Sequence, residues 1–270
     1  MRRRTAEPNP PMLGLEAASG GQVNSLQRGL DILHLFNGRE PMLTHAEIAG
    51  RLGLPRATAS KLIATLVAAN FLRQDVNGAY GPDVACLALG RAVKRGLPVV
   101  QAASPQMLRF AEEFGVHVSL MTRERLQMLV LEHAVPSGLS HLGLATGALV
   151  PMARSASGRA FLWAQKPGLQ AELFEALKDA GAEGAHRFMP GVYAAFQELE
   201  ERGFCFMASP VTRQTSSVAT PLYDRGAPAY SLAAMSLGGS DRERELIEEI
   251  GPRLLQVSAE ISRDLERLPA

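Results

Sequence analysis

Four polar or basic side chains fall within residues 56–61, where helical spacing would bring them to one exposed face. Arg56 and Lys61 carry positive charge, and Thr58 and Ser60 carry short hydroxyls. Arginine and lysine bind phosphate oxygens, and arginine and short hydroxyls form hydrogen bonds with base edges in a DNA groove. These residue types therefore predict contact with a nucleic acid from one face of a helix.

Residues 44–82 predict the elements that would position this face. Thr44 and Glu47 have the three-residue spacing of a capping box, which starts a first short helix. A second helix follows after a tight turn, and the residues of its inward apolar stripe are Ala59, Leu62, Ile63 and Leu66. Asn77 and Gly78 between two short strand-forming segments predict a hairpin. Two helices, a turn and a hairpin make a winged helix-turn-helix, whose second helix enters the DNA major groove.

Three further residues are candidates for contact with the phosphate backbone. Thr44 lies at a predicted helix N-terminus, where backbone N–H groups attract anions. Arg28 on the preceding helix and Arg73 on the hairpin would add positive charge beside the second helix. The alternative for these three residues, and for the four on the second helix, is an ordinary solvated side chain.

The chain divides into four predicted segments. Residues 1–22 are rich in proline, glycine and small residues and are expected to be a disordered tail. The winged helix-turn-helix occupies 23–82 and begins with an amphipathic helix over 23–38. The predicted buried face of that helix consists of Leu26, Leu30, Leu33 and Phe36. A linker helix over 83–97 leads to a second domain over 98–270, where strands and helices packed to one side predict an antiparallel α+β fold.

Composition excludes several classes of protein. No apolar run comes near the length of about 20 residues that a membrane span needs. The N-terminal arginines are not followed by the apolar stretch that is typical of a secretory signal. Cys86 and Cys205 are far apart and lack metal-ligand spacing, which favours neither a disulfide framework nor a zinc site. The sequence thus predicts a cytoplasmic protein with no membrane partner, no metal and no cofactor.

The charge distribution supports different ligands for the two domains. The first 97 residues hold 12 Lys and Arg against 7 Asp and Glu, whereas the remainder holds 16 against 20. A basic front half suits binding to phosphates, and an acidic back half suits another ligand. Chance differences of this size also occur in ordinary enzymes, so the asymmetry serves only as support.

Four stretches together resemble one known family. They are SLQRGLDILHLF at 25–36, LTHAEIAGRLGLPRATASKLIATLVAANFL at 43–72, ASGRAFL at 156–162, and ELEERGF at 198–204 followed by VATPLYD at 218–224. Their order and spacing are similar to those of the IclR family of bacterial transcriptional regulators. The resemblance implies a homodimer or dimer of dimers on a palindromic operator in double-stranded DNA. It also implies a GAF/profilin-like C-terminal α/β domain with an antiparallel sheet, which binds a small organic effector and contributes to oligomerisation.

The resemblance also assigns an effector pocket, position by position. Its residues are Ala156, Ser157, Met207, Ser217, Ala234 and Ser236. Relatives that bind small carboxylic acids have an acidic residue at the position of Met207, whereas the segment FMASPVTRQTSSVA at 206–219 contains no carboxylate. The expected pocket is therefore more apolar, with hydroxyls from Ser217 and Ser236 and a cation at Arg213. Such a pocket suits an aromatic or lipophilic acid.

Two rival functions stay open. A constitutive DNA-binding regulator with a vestigial pocket would explain the missing carboxylates. A metabolite-modifying enzyme that uses its helix-turn-helix for protein contacts would need a catalytic constellation, but no Gly-x-Ser-x-Gly nucleophile pattern is present. His117 and His133 fall on predicted neighbouring strands, where ordinary core or surface histidines are the simpler interpretation.

Overall fold

The computed structural model describes residues 23–36, 40–139, 144–180, 185–208, 215–237 and 240–268. The predicted disordered tail at 1–22 lies outside these residues. The chain forms two compact units, Met1–Lys94 and Arg95–Ala270. In the described parts of the chain, no helix combines the length and the apolar character needed to cross a membrane.

The N-terminal unit contains the predicted helices and hairpin. Its elements are α1 (Asn24–Leu33), α2 (His45–Arg51), α3 (Arg56–Ala68), β1 (Leu72–Gln74), β2 (Tyr80–Pro82) and α4 (Val84–Gly96). The core is formed by Ile32, Leu35, Leu43, Ile48, Ala49, Ala59, Ile63 and Leu72. The predicted inward stripe of α3 is confirmed, because Ala59 and Ile63 are buried and Leu62 and Leu66 pack against this core.

The predicted buried face of α1 is correct only in part, because Leu33 and Phe36 pack against the core and Leu26 and Leu30 do not. Leu26 is 62% exposed and Leu30 is 44% exposed, whereas Gly29, Ile32 and Leu35 are buried. Both sets have helical spacing, so periodicity could not choose between them. The α-helix also ends at Leu33, earlier than expected. Leu26 and Leu30 therefore form an exposed apolar stripe on α1.

The hairpin is confirmed, but its loop is wider than a two-residue turn. Gln74 pairs with Tyr80, so five residues, 75–79, lie between the strands. Asp75 Oδ1 accepts hydrogen bonds from the backbone N–H groups of Asn77 and Ala79, at 2.9 and 2.8 Å. Gly78 adopts a φ of +81° at the tip, which glycine tolerates without strain. The Asp75 side chain therefore holds the loop closed, whereas the Asn77-Gly78 motif predicted only the position of the hairpin.

The C-terminal unit is built on a six-stranded antiparallel sheet of order β5-β4-β3-β8-β7-β6. The strands are β3 (His117–Glu124), β4 (Gln127–Ala134), β5 (Leu149–Pro151), β6 (Cys205–Ala208), β7 (Thr215–Asp224) and β8 (Ala227–Leu237). The helices are α5 (Pro98–Phe114), α6 (Ala156–Ala164), α7 (Pro167–Ala180), α8 (Ala185–Arg202), α9 (Ser240–Glu245) and α10 (Gly251–Arg267); a π-helical segment, Leu246–Ile250, joins the last two.

Helices cover both faces of this sheet, whereas the sequence predicted helices on one side. On one face, α5 and α10 pack around a core that includes Val118, Leu120 and Ala234. On the other face, α6 packs against β7 and β8, around Ala219 and Ala233. The first five residues of β3 are all buried, as in a strand with no solvated face. The antiparallel α+β class is correct, but the layering is a sandwich of helices around the sheet.

Two boundaries in this unit also differ from the prediction. The sequence pattern predicts a helix over 104–114 with Pro105 at its start, but the helix begins at Pro98 and Pro105 lies inside it. Pro98 takes the first-turn position that suits proline, and the buried Val99 and Val100 extend the apolar face towards the N-terminus. The sequence pattern also predicts a short strand over 142–145, a range that falls partly outside the described residues, and the edge strand is Leu149–Pro151.

Candidate functional site

The exposed face of α3 carries the polar and basic residues that the sequence singled out. Arg56, Ser60 and Lys61 are exposed and Thr58 is half-buried, while Ala59 on the opposite side is fully buried. The helix is therefore anchored by its apolar stripe and presents two cations and two hydroxyls together. We call Arg56, Thr58, Ser60 and Lys61 the α3 polar face.

A histidine missing from the sequence prediction joins this face. His45, the first residue of α2, places Nε2 2.9 Å from Ser60 Oγ. The same hydroxyl donates a hydrogen bond to the Arg56 carbonyl at 3.0 Å. His45 and Ser60 are fifteen positions apart, and only the packing of α2 on α3 brings them together. No local motif could have revealed the pair.

Thr44 has a structural role at the start of α2. Glu47 Oε2 accepts hydrogen bonds from both the backbone N–H and the hydroxyl of Thr44, each at 2.8 Å, and Glu47 N–H donates to Thr44 Oγ1. These bonds complete the predicted capping box, and they lower the pKa of Glu47. Thr44 gives its own donors to a carboxylate, so a contact of Thr44 with phosphate stays a prediction.

The two outlying arginines are both solvent-exposed. Arg28 lies on α1, and Arg73 lies on β1 of the hairpin, opposite Gly81. The sequence also missed Val76, which is fully exposed at the tip of the hairpin loop. Contact of the arginines with phosphate stays a prediction.

Four of the six predicted pocket residues lie in the layer between α6 and the sheet. Ala156 is buried beside Cys205 and Ala219, and Met207 packs against the same cluster. Ser157 is buried in the first turn of α6. Ser217 pairs with Met207 across β7 and β6, so the two side chains share the face that is turned to α6. We call this side of the sheet the α6 face.

The other two predicted pocket residues, Ala234 and Ser236, belong to the opposite face. Ala234 packs in the core under α5 and α10. Ser236 Oγ accepts a 2.7 Å hydrogen bond from Arg242 Nε. Successive side chains of a strand alternate between the two faces, so Ala234 and Ser236 do not share the α6 face with Ser217, and their place in an effector pocket stays a prediction. Met235 instead lies beside Ser217 on the α6 face.

A polar cluster that the sequence left as ordinary histidines extends the α6 face. His117 pairs with Met235, and Ser119 pairs with Ala233 on one side and with His133 on the other. His133 Nδ1 lies 2.8 Å from Ser119 Oγ, and its Nε2 lies 3.3 Å from His117 Nδ1. The expected placement of the histidines on neighbouring strands is confirmed. The α6 face thus has a row of Met207, Ser217, Met235 and His117, continued by the Ser119 and His133 side chains.

Two further observations limit the chemistry of this face. Burial raises the pKa of the Cys205 thiol to about 12, so the group stays neutral and weakly nucleophilic at physiological pH. Among the described residues, no group of three His, Cys, Asp or Glu side chains could hold a metal ion. Arg213, the cation expected at this pocket, lies outside the described residues.

Comparison with known proteins agrees with both halves of the molecule. The model of the IclR helix-turn-helix domain matches residues 25–76, and that of the bacterial transcriptional regulator IclR C-terminal domain matches 91–263. The HTH-type transcriptional regulator TsaQ1/TsaQ2 of Comamonas testosteroni is 29% identical over 261 residues, which cover 93% of this chain and 91% of that protein.

Solved structures share the fold. An IclR family transcriptional regulator from Brucella abortus superimposes with a TM-score of 0.84 at 30% identity, covering 95% of this chain and 96% of that one. An IclR homologue from Microbacterium hydrocarbonoxydans, complexed with 4-hydroxybenzoate, gives a TM-score of 0.66 at 18% identity, covering 90% and 100% of the two chains.

The relatives named above are regulators, and the two matched domain models together span most of the described chain. The protein is accordingly a DNA-binding transcriptional regulator with an effector-binding C-terminal domain, and not an enzyme. The chain belongs to the IclR family of bacterial transcriptional regulators.

Proposed function

We propose that the α3 polar face enters the major groove of a palindromic operator, with Arg28, Arg73 and the N-terminus of α2 at Thr44 on the flanking phosphates. The observation that carries this proposal is the joint exposure of Arg56, Ser60 and Lys61 on a helix whose other side is buried. A recognition helix needs that arrangement, because its anchored side fixes the depth at which its polar side meets the bases. Such a regulator works on the chromosome, in the cytoplasm.

A palindromic operator requires two copies of the chain, and exposed apolar side chains support a homodimer or dimer of dimers. Val23, Leu26 and Leu30 form an exposed stripe on α1. Leu87 is 77% exposed on α4, a helix with no buried residue. Clustered apolar surface of this kind is typical of interfaces. We propose that a second copy covers these helices, and that the C-terminal domain adds to the assembly.

The effector that best suits the α6 face is an aromatic or lipophilic acid. Met207, Met235 and Ala156 supply apolar and polarisable surface for a ring or chain. The Ser217 hydroxyl, which donates to the Met207 carbonyl at 3.4 Å, would turn from that carbonyl to donate to a carboxylate, and the His117–His133 pair would supply further hydrogen-bonding groups. The relative complexed with 4-hydroxybenzoate is consistent with this class of ligand. The rival proposal is a constitutive regulator whose pocket binds nothing.

Calorimetric titration with 4-hydroxybenzoate, benzoate and hexanoate distinguishes a pocket that binds an acid from a pocket that binds nothing. We expect one ring-bearing acid to bind, and Ser217→Ala to weaken it about fivefold through loss of one hydrogen bond. Ser216→Ala is the matched control, because Ser216 lies next in the chain but bonds to Glu243 from the opposite face. No heat with any acid would favour the vestigial pocket, and equal losses in the two variants would contradict our face assignment.

Selection of bound fragments from genomic DNA tests the DNA proposal. We expect the protein to enrich a short palindrome, with half-sites about one helical turn apart or a multiple of that distance. Enrichment of a single asymmetric site would contradict the dimeric arrangement. Failure to enrich any sequence, with and without the acid identified by calorimetry, would contradict specific recognition.

A further inference from the structure

The two hydrogen-bond partners of Ser60 determine where its hydroxyl donates and where it accepts. Its Oγ donates to the Arg56 carbonyl at 3.0 Å, one helical turn back on α3. Its second partner is His45 Nε2 on α2, at 2.9 Å. Both contacts lie on the solvent-exposed side of the N-terminal unit, within the α3 polar face.

The valence of a hydroxyl decides the roles of these partners. A serine hydroxyl has one hydrogen and two lone pairs. The carbonyl of Arg56 accepts and cannot donate, so it takes the hydrogen. His45 must then donate through an Nε2–H, which both the Nε2-protonated tautomer and the imidazolium provide. One lone pair of Ser60 Oγ remains, and because Ser60 is exposed this lone pair is available to a group on the solvent side of α3.

We infer that His45 makes Ser60 an acceptor-only contact, which selects a base bearing an amino group in the major groove. The amino groups there are adenine N6 and cytosine N4, whereas guanine O6 and thymine O4 are acceptors. If guanine O6 or thymine O4 faced the Ser60 lone pair, neither oxygen would have a hydrogen to donate, and no hydrogen bond would form between them. The inference rests on the proposed contact of α3 with DNA and adds a base preference to it. His45 acts as a positioning residue, through Ser60.

Removal of His45 should relax the preference rather than abolish binding. Without the imidazole, the Ser60 hydroxyl is free to rotate and to donate to guanine or thymine. His45→Gln retains an N–H donor of comparable reach, so it should restore part of the discrimination. A purely structural role of His45 would lower affinity for all sequences equally and would leave the base preference unchanged.

The experiment is selection from a randomised half-site library, followed by affinity measurement on single-base variants. Wild type is compared with Ser60→Ala, His45→Ala and His45→Gln. The matched control is Thr65→Ala, because Thr65 Oγ1 also donates to a carbonyl one turn back on α3, that of Lys61, at 2.9 Å. The position contacted by Ser60 is the one whose preference changes in Ser60→Ala. Thermal unfolding of each variant verifies that the helices are intact.

We expect wild type to favour adenine or cytosine over guanine or thymine at that position by about fivefold, the effect of one hydrogen bond. His45→Ala should reduce the ratio to about twofold or less, with His45→Gln between the two. A wild-type preference for guanine or thymine there, no changed position in Ser60→Ala, or an unaltered ratio in His45→Ala would overturn the inference. Failure of wild type to enrich any sequence is a different result, which contradicts the DNA contact itself.

Discussion

Replacing both Arg56 and Lys61 with alanine removes four contacts from a dimer on its palindrome and should lower the affinity for the selected operator about 1,000-fold or more, since each contact contributes about 1–3 kcal/mol. The same change should flatten the dependence of log K on log salt by about four, because a dimer on its two half-sites releases about four fewer counterions. Fluorescence anisotropy on labelled operator, between low and physiological salt, measures both quantities.

The control for this prediction is the pair Lys166→Ala and Arg263→Ala. Both side chains are exposed in the C-terminal unit, so the double variant loses the same net charge without touching α3. If the control lost as much affinity as the α3 variant, the effect would be one of overall charge. The assignment of α3 as the recognition helix would then fail.

Gly158→Ala should destabilise the C-terminal unit by about 3 kcal/mol, the upper end of the range for overpacking. A Cβ at Gly158 would lie 2.1 Å from the Met152 carbonyl oxygen and 2.5 Å from Met152 Cα. These neighbours are backbone atoms, so α6 would have to move away from them. Such a movement would also displace Ala156 and Ser157, and we expect weaker effector binding.

Gly168→Ala is the matched control, because a Cβ at that position of α7 has no atom within 4 Å. It should change stability by less than about 1 kcal/mol, the difference in helix propensity. Urea unfolding can be followed by the fluorescence of Trp163, the single tryptophan, which lies on α6 itself. Equal midpoints for the two variants would contradict the close packing of α6.

The helix-turn-helix was predictable because its signals are local. Thr44 and Glu47 are three residues apart, and the structure shows both reciprocal hydrogen bonds of the capping box. The phase of α1 was not predictable, since Leu26 with Leu30 and Gly29 with Ile32 have equivalent spacing. Which stripe is buried depends on the neighbouring helices, and that information is absent from a 3.6-residue period.

The assignment of pocket residues shows that sequence spacing also leaves open which face of the sheet a strand residue occupies. The resemblance grouped Ser217 and Met207 with Ala234 and Ser236, whereas the structure places the first two on the α6 face and the other two on the opposite face. Strand β8 is buried on both sides over much of its length, so alternation gave no sign of the face. The contact of His45 with Ser60 depends on packing between two helices, which no spacing rule covers.

Cleavage of the operator by a reagent tethered to α3 tests the central claim most directly. An iron chelate would be attached to Lys61→Cys in a Cys86→Ser background; Cys205 is fully buried with a pKa near 12 and should not be labelled. Asp179→Cys, on the exposed side of α7, is the labelling control. We predict cleavage in both half-sites of the palindrome from position 61 and none from position 179. Cleavage outside the half-sites, or none from position 61 on bound operator, would contradict recognition by the α3 polar face.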